Sequence, residues 1–314
     1  MNKAKRNIEE HFNEIASDYA TIYDPDDSRA RYPSGPVRME KTISMLRSMG
    51  VKGAILDAGC GTGHMAARLL AENFDVHGVD ISSEMVKTAR LRCAEDDFGN
   101  EKINIEVGDL ENLDLPDSSF DAVVCLGVLE YLPEDDTALA ELTRVLKPGG
   151  VMIVAFRNKL FNLFSANEYQ KDASMTGEIS HLIDEFQRES ASAPDDDQFD
   201  KYVRHLKENV AGVPLPSEAL LDAEREQSQS LRERPVTLRQ TTPGEARSIG
   251  AKHGLECRDF VYFHFHPYPP IFERIAPTAF NSLGLIMESL ERHPIGSIMA
   301  SGIICGYVKN EVQV

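Results

Sequence analysis

Ile55-Leu-Asp-Ala-Gly-Cys-Gly-Thr-Gly63 is the stretch that decides the fold. It completes a short apolar run, Ala54-Ile-Leu56, and then has to turn at Gly59 and Gly61. Residues without a Cβ let the backbone bend sharply there and approach a ligand closely. A helix is expected to begin near His64. A strand, a glycine turn and a helix in that order open an α/β sheet with a ligand site at the carboxyl edge of its strands.

Outward from this turn the same alternation repeats. Val76-His-Gly-Val79, Ile103-Asn-Ile-Glu-Val107, Ala122-Val-Val-Cys-Leu126 and Val151-Met-Ile-Val-Ala155 are short apolar or β-branched runs. Amphipathic helical stretches over 65–72, 83–94 and 135–146 lie between them, the last stopped by Lys147-Pro-Gly-Gly150. This pattern predicts a doubly wound, mostly parallel sheet. Upstream, Ile8, Phe12, Ile15, Ala16 and Tyr19 have helical spacing, and a second helix is expected over 36–49. Between 158 and 235 the strand signal vanishes. The sheet pattern then resumes with a helix over 243–252, a strand over 255–265, a helix over 278–291 and a strand over 297–308. The expected organisation is an N-terminal helical lid (1–40), a cofactor-binding core (41–157), a helical cap insertion (158–236) and the C-terminal part of the sheet (237–314).

Composition limits the partners. The 314 residues carry 33 basic and 51 acidic side chains, a net charge of -18, with 42% hydrophobic content to fill a core. That charge repels phosphate backbones and anionic lipid, and no local basic patch overrides it, so neither nucleic acid nor membrane is expected as a partner. Cys60, Cys93, Cys125, Cys257 and Cys305 include no CxxC pair, so no metal site is expected and the thiols read as reduced. There is no signal-peptide h-region and no apolar run long enough to span a bilayer, so a cytoplasmic protein is expected. Oligomeric state has no signature in the sequence.

The chemistry of the turn separates it from similar glycine loops. A dinucleotide fingerprint would need glycine where His64 stands, and the phosphate-loop lysine is missing. An NAD-dependent oxidoreductase is disfavoured accordingly. Asp57 inside the turn would repel a pyrophosphate but suits a ligand with an ammonium and a sulfonium. Asp80, at the end of the second strand, can accept from both ribose hydroxyls, and Asp109, at the end of the third, from an adenine amino group. The competing reading for Asp57 and Asp80 is that each only caps the turn or helix after it, and for Asp109 that it is an ordinary turn aspartate.

Taken together and in order over 50–157, these motifs, with Leu146-Lys-Pro-Gly-Gly150 before the fifth strand, resemble those of class I S-adenosylmethionine-dependent methyltransferases of the small-molecule type. The resemblance implies a seven-stranded sheet with an antiparallel last strand, and S-adenosylmethionine as cofactor. It places Asp57, Gly59 and Gly61 along the methionine part, Asp80 and Ile81 at the ribose and adenine, Asp109 and Leu110 at the adenine, and Leu126 near the methionine. Cys60 and Met85 complete the cofactor-binding set. The implied activity is methyl transfer to a small-molecule acceptor, with oxygen favoured. The alternatives are N-methylation of a small amine, or a regulatory protein that binds the cofactor without catalysis.

In-line displacement at a sulfonium chiefly requires alignment of the acceptor; a hydroxyl or protonated amine also needs a proton acceptor. The candidates are Tyr131, His264 and His266, with His181 and His205 in the cap. His264 and His266 lie two apart and are expected on one face of a strand. Tyr131 stands where the ubiquinone-pathway methyltransferases often have histidine, and Glu130 replaces the metal-binding aspartate of the magnesium-dependent catechol type. The Asp/Asn/Ser-Pro-Pro-aromatic motif of amino-methylating DNA enzymes is missing after the fourth strand. Tyr19 and Tyr23 sit on the expected lid. Phe156, Phe161, Phe164, Tyr169, Tyr262, Phe265 and Tyr268 suggest a partly apolar acceptor pocket.

Overall fold

The computed structural model describes residues 3–21, 32–95, 102–165, 178–190, 236 and 238–311. Tyr23, Tyr169, His205 and most of the expected cap lie outside the described residues.

The strands are β1 (Ala54–Ala58), β2 (Asp75–Asp80), β3 (Ile103–Val107), β4 (Phe120–Leu126), β5 (Leu146–Arg157), β6 (Leu255–Phe265) and β7 (Ala300–Lys309). They form one seven-stranded sheet in the order β3-β2-β1-β4-β5-β7-β6. The first five are parallel; β7 runs antiparallel to both β5 and β6. The expected α/β architecture is therefore present, antiparallel last strand included. Because β1 is paired on one side with β2 and on the other with β4, the connections after these strands diverge and open a crevice at their carboxyl ends.

Strand residues bury both faces, as a covered parallel sheet requires. Leu56, Val123, Met152 and Ile303 meet one layer, which includes Ala138, Leu139 and Leu142 of helix α5 (Asp136–Val145). Their neighbours Ile55, Val124, Ile153 and Ile304 meet the opposite layer, with Ile43 and Leu46 of α2 (Ser34–Ser48), Leu69 of α3 (His64–Ala71) and Ala89 of α4 (Ser83–Glu95). The N-terminal helix α1 (Lys3–Thr21) packs against α4 at the crevice. No helix among the described residues is long and apolar enough to cross a membrane.

Two boundaries differ from the sequence reading. Lys147-Pro-Gly-Gly150 does not separate helix from strand: β5 starts at Leu146, which pairs with Phe120, and the irregular register between Phe120 and Ala122 absorbs the bend. Residues 297–299 are not strand but part of a short helix, Gly296–Met299. Packing explains this: a Cβ on Gly296 would come within 2.5 Å of the Tyr262 ring, so the helix sits tightly on β6. Asn158, buried at the end of β5, donates from Nδ2 to the carbonyls of Ser297 (2.7 Å) and Ala300 (2.8 Å), satisfying groups the short helix leaves open.

Candidate active site

The glycine turn is held by the strand beside it. Gly59 and Cys60 donate their backbone N–H groups to the Val79 carbonyl at 2.7 and 3.0 Å. Gly59 has φ +76°, and a Cβ there would lie 2.2 Å from Val128 Cγ2, so only glycine fits between the turn and the end of β4. Asp80 fixes the other side: Oδ2 accepts from Gly61 N (2.8 Å) and Oδ1 from Ser82 N (2.9 Å). Ser82 in turn accepts on Oγ from Met85 N at 3.1 Å, capping α4. Asp80 thus performs the capping role and still faces the pocket, because each carboxylate oxygen has a second lone pair.

One cavity at this edge is lined by all ten residues assigned to the cofactor: Asp57, Gly59, Cys60, Gly61, Asp80, Ile81, Met85, Asp109, Leu110 and Leu126. Tyr131 joins them from the turn after β4. Asp57 is 2% exposed, and its Oδ2 is buried with no hydrogen-bond partner. Burial and the neighbouring Asp80 push its pKa up to about 7. Such a group gains most from a ligand that brings a cationic donor. Burial also raises the pKa of Asp80, against the hydrogen bonds of the Ser82, Gly61 and Ile81 amides.

One wall of the cavity comes from the helix expected as the N-terminal lid. Lys5, Ile8, Phe12 and Tyr19 of α1 line it. Lys5 Nζ bridges Asp109 Oδ2 and Glu111 Oε2, each at 2.5 Å, and Asn13 Oδ1 accepts from Ser82 Oγ at 2.7 Å. The Phe12 ring meets Tyr131 edge-on, with centroids 4.9 Å apart. Arg38 from α2 and His64 also line the cavity; burial and Arg92 bring the His64 pKa down to about 4, so its ring is neutral. The helical spacing of Ile8, Phe12 and Tyr19 was readable, but the ties of Lys5 to Asp109 and of Asn13 to Ser82 were not.

The two late histidines stand elsewhere on the same edge and do not line this cavity. His264 has φ +58°, which breaks the strand alternation, yet its ring still lies 4.4 Å from that of His266. His264 stacks on Tyr32 at 4.5 Å, and its Nδ1 meets Ser301 Oγ at 2.9 Å. His266 packs on Phe161 and Phe280, with both ring nitrogens buried and unpartnered. His181 is exposed on the helix Glu178–Ser190. Of the aromatic set, Phe156, Phe161, Tyr262 and Phe265 are buried, and the Tyr262 hydroxyl is engaged with Glu189 at 3.1 Å. Phe164 and Tyr268 are half-buried. The Asp/Glu/His/Cys side chains among the described residues form no group of three that could hold a metal.

Residues 56–154 match the family described as "Methyltransferase domain". The chain carries a methyltransferase domain over these residues. The domain spans the strands that build the cavity from β1 to β5. A ubiquinone biosynthesis O-methyltransferase of Alkalilimnicola ehrlichii is 32% identical over 161 residues, covering 49% of this chain and 62% of that protein. The enzyme of the same name from Xanthomonas axonopodis pv. citri is 31% identical over 125 residues, covering 40% of this chain and 50% of that protein. The matched region is thus less than two thirds of these relatives. The crystal structure of magnesium protoporphyrin IX methyltransferase from Synechocystis, with bound SAH, superposes with a TM-score of 0.56 at 15% identity, covering 98% of this chain and 100% of that one. At that identity the likeness is one of fold.

Proposed function

We propose that this protein is an S-adenosylmethionine-dependent methyltransferase acting on a small molecule, with oxygen as the receiving atom. The observation that carries the reading is the unpartnered, buried Asp57 oxygen in a cavity whose three strand ends bring Asp57, Asp80 and Asp109 around one ligand. An adenosyl ligand with a charged amino-acid end fits this donor set: Asp57 takes the ammonium, Asp80 the ribose hydroxyls, and Asp109 with Leu110 the adenine. When bound, the sulfonium supplies the methyl group. The shared name of the two curated relatives supports oxygen as the acceptor atom.

The chain's own residues then exclude water and receive a proton. Ile8, Phe12 and Tyr131 cover the cavity, and α1 serves as the lid over it. His264 is the proton acceptor in this reading. Ser301 Oγ lies 2.9 Å from His264 Nδ1 and 3.4 Å from its carbonyl; in the tautomer this reading uses, Nδ1–H donates to Ser301 Oγ and Nε2 keeps its lone pair. Burial, with Arg157 and Arg38 nearby, brings the His264 pKa down to about 3. So weak a base takes the proton only after the new C–O bond has formed and the oxygen has become an acidic oxonium. Residues 158–236 are proposed as the cap over the acceptor.

Calorimetric titration with S-adenosylmethionine, S-adenosylhomocysteine and NAD tests the reading. Micromolar binding of the first two and none of NAD is expected; binding of NAD alone would move the chain to the oxidoreductases.

A further inference from the structure

The N-terminal helix crosses the sheet edge in the order of the strands. Lys5 of α1 meets Asp109 and Glu111 after β3, and Asn13 meets Ser82 after β2. Tyr19 stands over Gly61 after β1, 3.9 Å from where a Cβ on that glycine would project. The strands lie in the order β3-β2-β1, so one helix touches all three loops that build the cofactor cradle. The middle contact reaches a fully buried side chain, that of Ser82, two residues after Asp80.

Backbone donors fix the direction of every hydrogen bond in this contact. Ser82 Oγ and Glu84 N both approach Asn13 Oδ1, at 2.7 and 3.3 Å. An amide N–H can only donate, so the Asn13 atom facing Glu84 is the oxygen and not the side-chain nitrogen. Met85 N donates to Ser82 Oγ at 3.1 Å, so the Ser82 hydroxyl accepts there and gives its single proton to Asn13. Ser82 N in turn donates to Asp80 Oδ1 at 2.9 Å, while Asp80 Oδ2 accepts from Gly61 N at 2.8 Å. A relay therefore runs from α1 to the carboxylate: Asn13 orients Ser82, and the backbone of Ser82 holds Asp80. The same oxygen caps α4 from outside, because Glu84 and Met85 are first-turn N–H groups that the helix itself leaves open.

Without the Asn13 oxygen, a buried hydroxyl proton and an α4 N–H lose their acceptor together. A buried donor in that condition turns to another acceptor or admits water, and either change loosens the backbone of Ile81 and Ser82 that aims Asp80. We propose that Asn13 is a positioning residue for the cofactor's ribose: it sets Ser82, and through Ser82 the Asp80 carboxylate, so that docking of α1 and recognition of the ribose hydroxyls are coupled. The inference rests on the methyl-transfer reading above.

The test is calorimetry on the full chain with S-adenosylhomocysteine and its 2′,3′-dideoxy analogue, which keeps the adenine and the amino-acid end and lacks both ribose hydroxyls. The parent should prefer the hydroxylated ligand about tenfold or more, as a site built to hydrogen-bond a hydroxyl does against an analogue lacking it. Asn13→Leu, close in volume but without an acceptor, should bring that ratio to within about threefold of one. Asn13→Asp, which keeps an oxygen at the start of α4, should retain most of it. The ratio decides, because loosening α1 as a plain packing layer weakens both ligands alike. An unchanged ratio in Asn13→Leu would overturn the proposal, as would Asn13→Asp discriminating no better than Asn13→Leu. A parent that binds both ligands equally removes the ribose role of Asp80 and overturns the proposal too, with the methyl-transfer reading left standing. A parent that binds neither ligand brings down that reading and this inference with it. If Asn13→Leu fails to fold, Asn13→Ala takes its place in the same comparison.

Discussion

The carboxyl edge of the sheet has two halves that treat polar groups differently. Around β1, β2 and β3 nearly every buried polar atom has a backbone partner close in space: Asp80 holds Gly61 and Ser82, Ser82 holds Met85, and Val79 holds the glycine turn. The open valence at that end is Asp57 Oδ2. Around β5, β6 and β7 the side chains are less satisfied: His264 Nε2, both nitrogens of His266 and the Ser297 hydroxyl are buried without partners. Burying such groups costs free energy unless a ligand or water completes them. The first half is a finished cradle with one open valence; the second is packed with polar atoms left without partners among the described residues.

That contrast can be broken experimentally. The largest effect is expected from Asp80→Ala. Two charge-assisted hydrogen bonds to the turn and to α4 are lost, so stability should fall by about 2–4 kcal/mol and cofactor binding should vanish. Differential scanning calorimetry with and without S-adenosylhomocysteine reads both. Binding lost with unchanged stability would mean that the carboxylate serves the ligand alone.

Asp57→Asn should separate the two roles in the opposite direction. The folded pKa of Asp57 is raised, from 3.8 to about 7. Its contribution to stability is therefore fully present below its unfolded value and is lost as pH rises through about 7. The ligand-free Asn variant should be more stable than the parent at pH 8, while its affinity for S-adenosylmethionine drops at least tenfold. In the parent, affinity should weaken as pH falls below about 7, because the ionised carboxylate is the form that meets the cation. Proton uptake or release, read by calorimetry in buffers of different ionisation enthalpy, checks the sign: binding at pH 6 should release a proton.

In the second half, His264→Gln should lower turnover by about 10²-fold, a magnitude ordinary for loss of a positioned proton acceptor, and leave S-adenosylhomocysteine affinity unchanged. Equal losses in both would place the imidazole in the packing of the first half. The smallest effect belongs to Lys5→Met, which removes the bridge to Asp109 and Glu111. Cofactor affinity should change only a few-fold, with the melting temperature nearly constant, since partly exposed ion pairs contribute little. A large fall in melting temperature would make α1 a structural layer and not a lid.

The same division governs what could be read from the residues in order. The cofactor cradle is local in sequence: each carboxylate or glycine follows a strand whose apolar run marks its end. Asp57, Asp80 and Asp109 could therefore be assigned to one edge before any coordinates. Arg38, Lys5 and Phe12 carry no such mark; an arginine on a helix gives no sign of which strand end it will face. The late histidines show the limit from the other side. Their two-residue spacing predicted a shared face, but the left-handed φ of His264 re-aimed it against Tyr32 and Ser301. The aromatic run around them proved mostly buried core, because hydrophobic periodicity reports burial and does not distinguish a packed interior from a binding pocket.

The sequence by itself determined the strand-turn-helix order, the sheet with its carboxyl-edge crevice, and the three carboxylates presented there, because period-two apolar runs and glycine turns are short-range physics. Tertiary structure alone decided which residues of the N-terminal helix, Lys5 and Phe12 among them, line the crevice. It likewise decided that Arg38 stands against Gly127, and that His264 rests on Tyr32 and Ser301. Those contacts join segments that lie far apart in the chain. Their partners are chosen by how the layers pack, which no local pattern encodes.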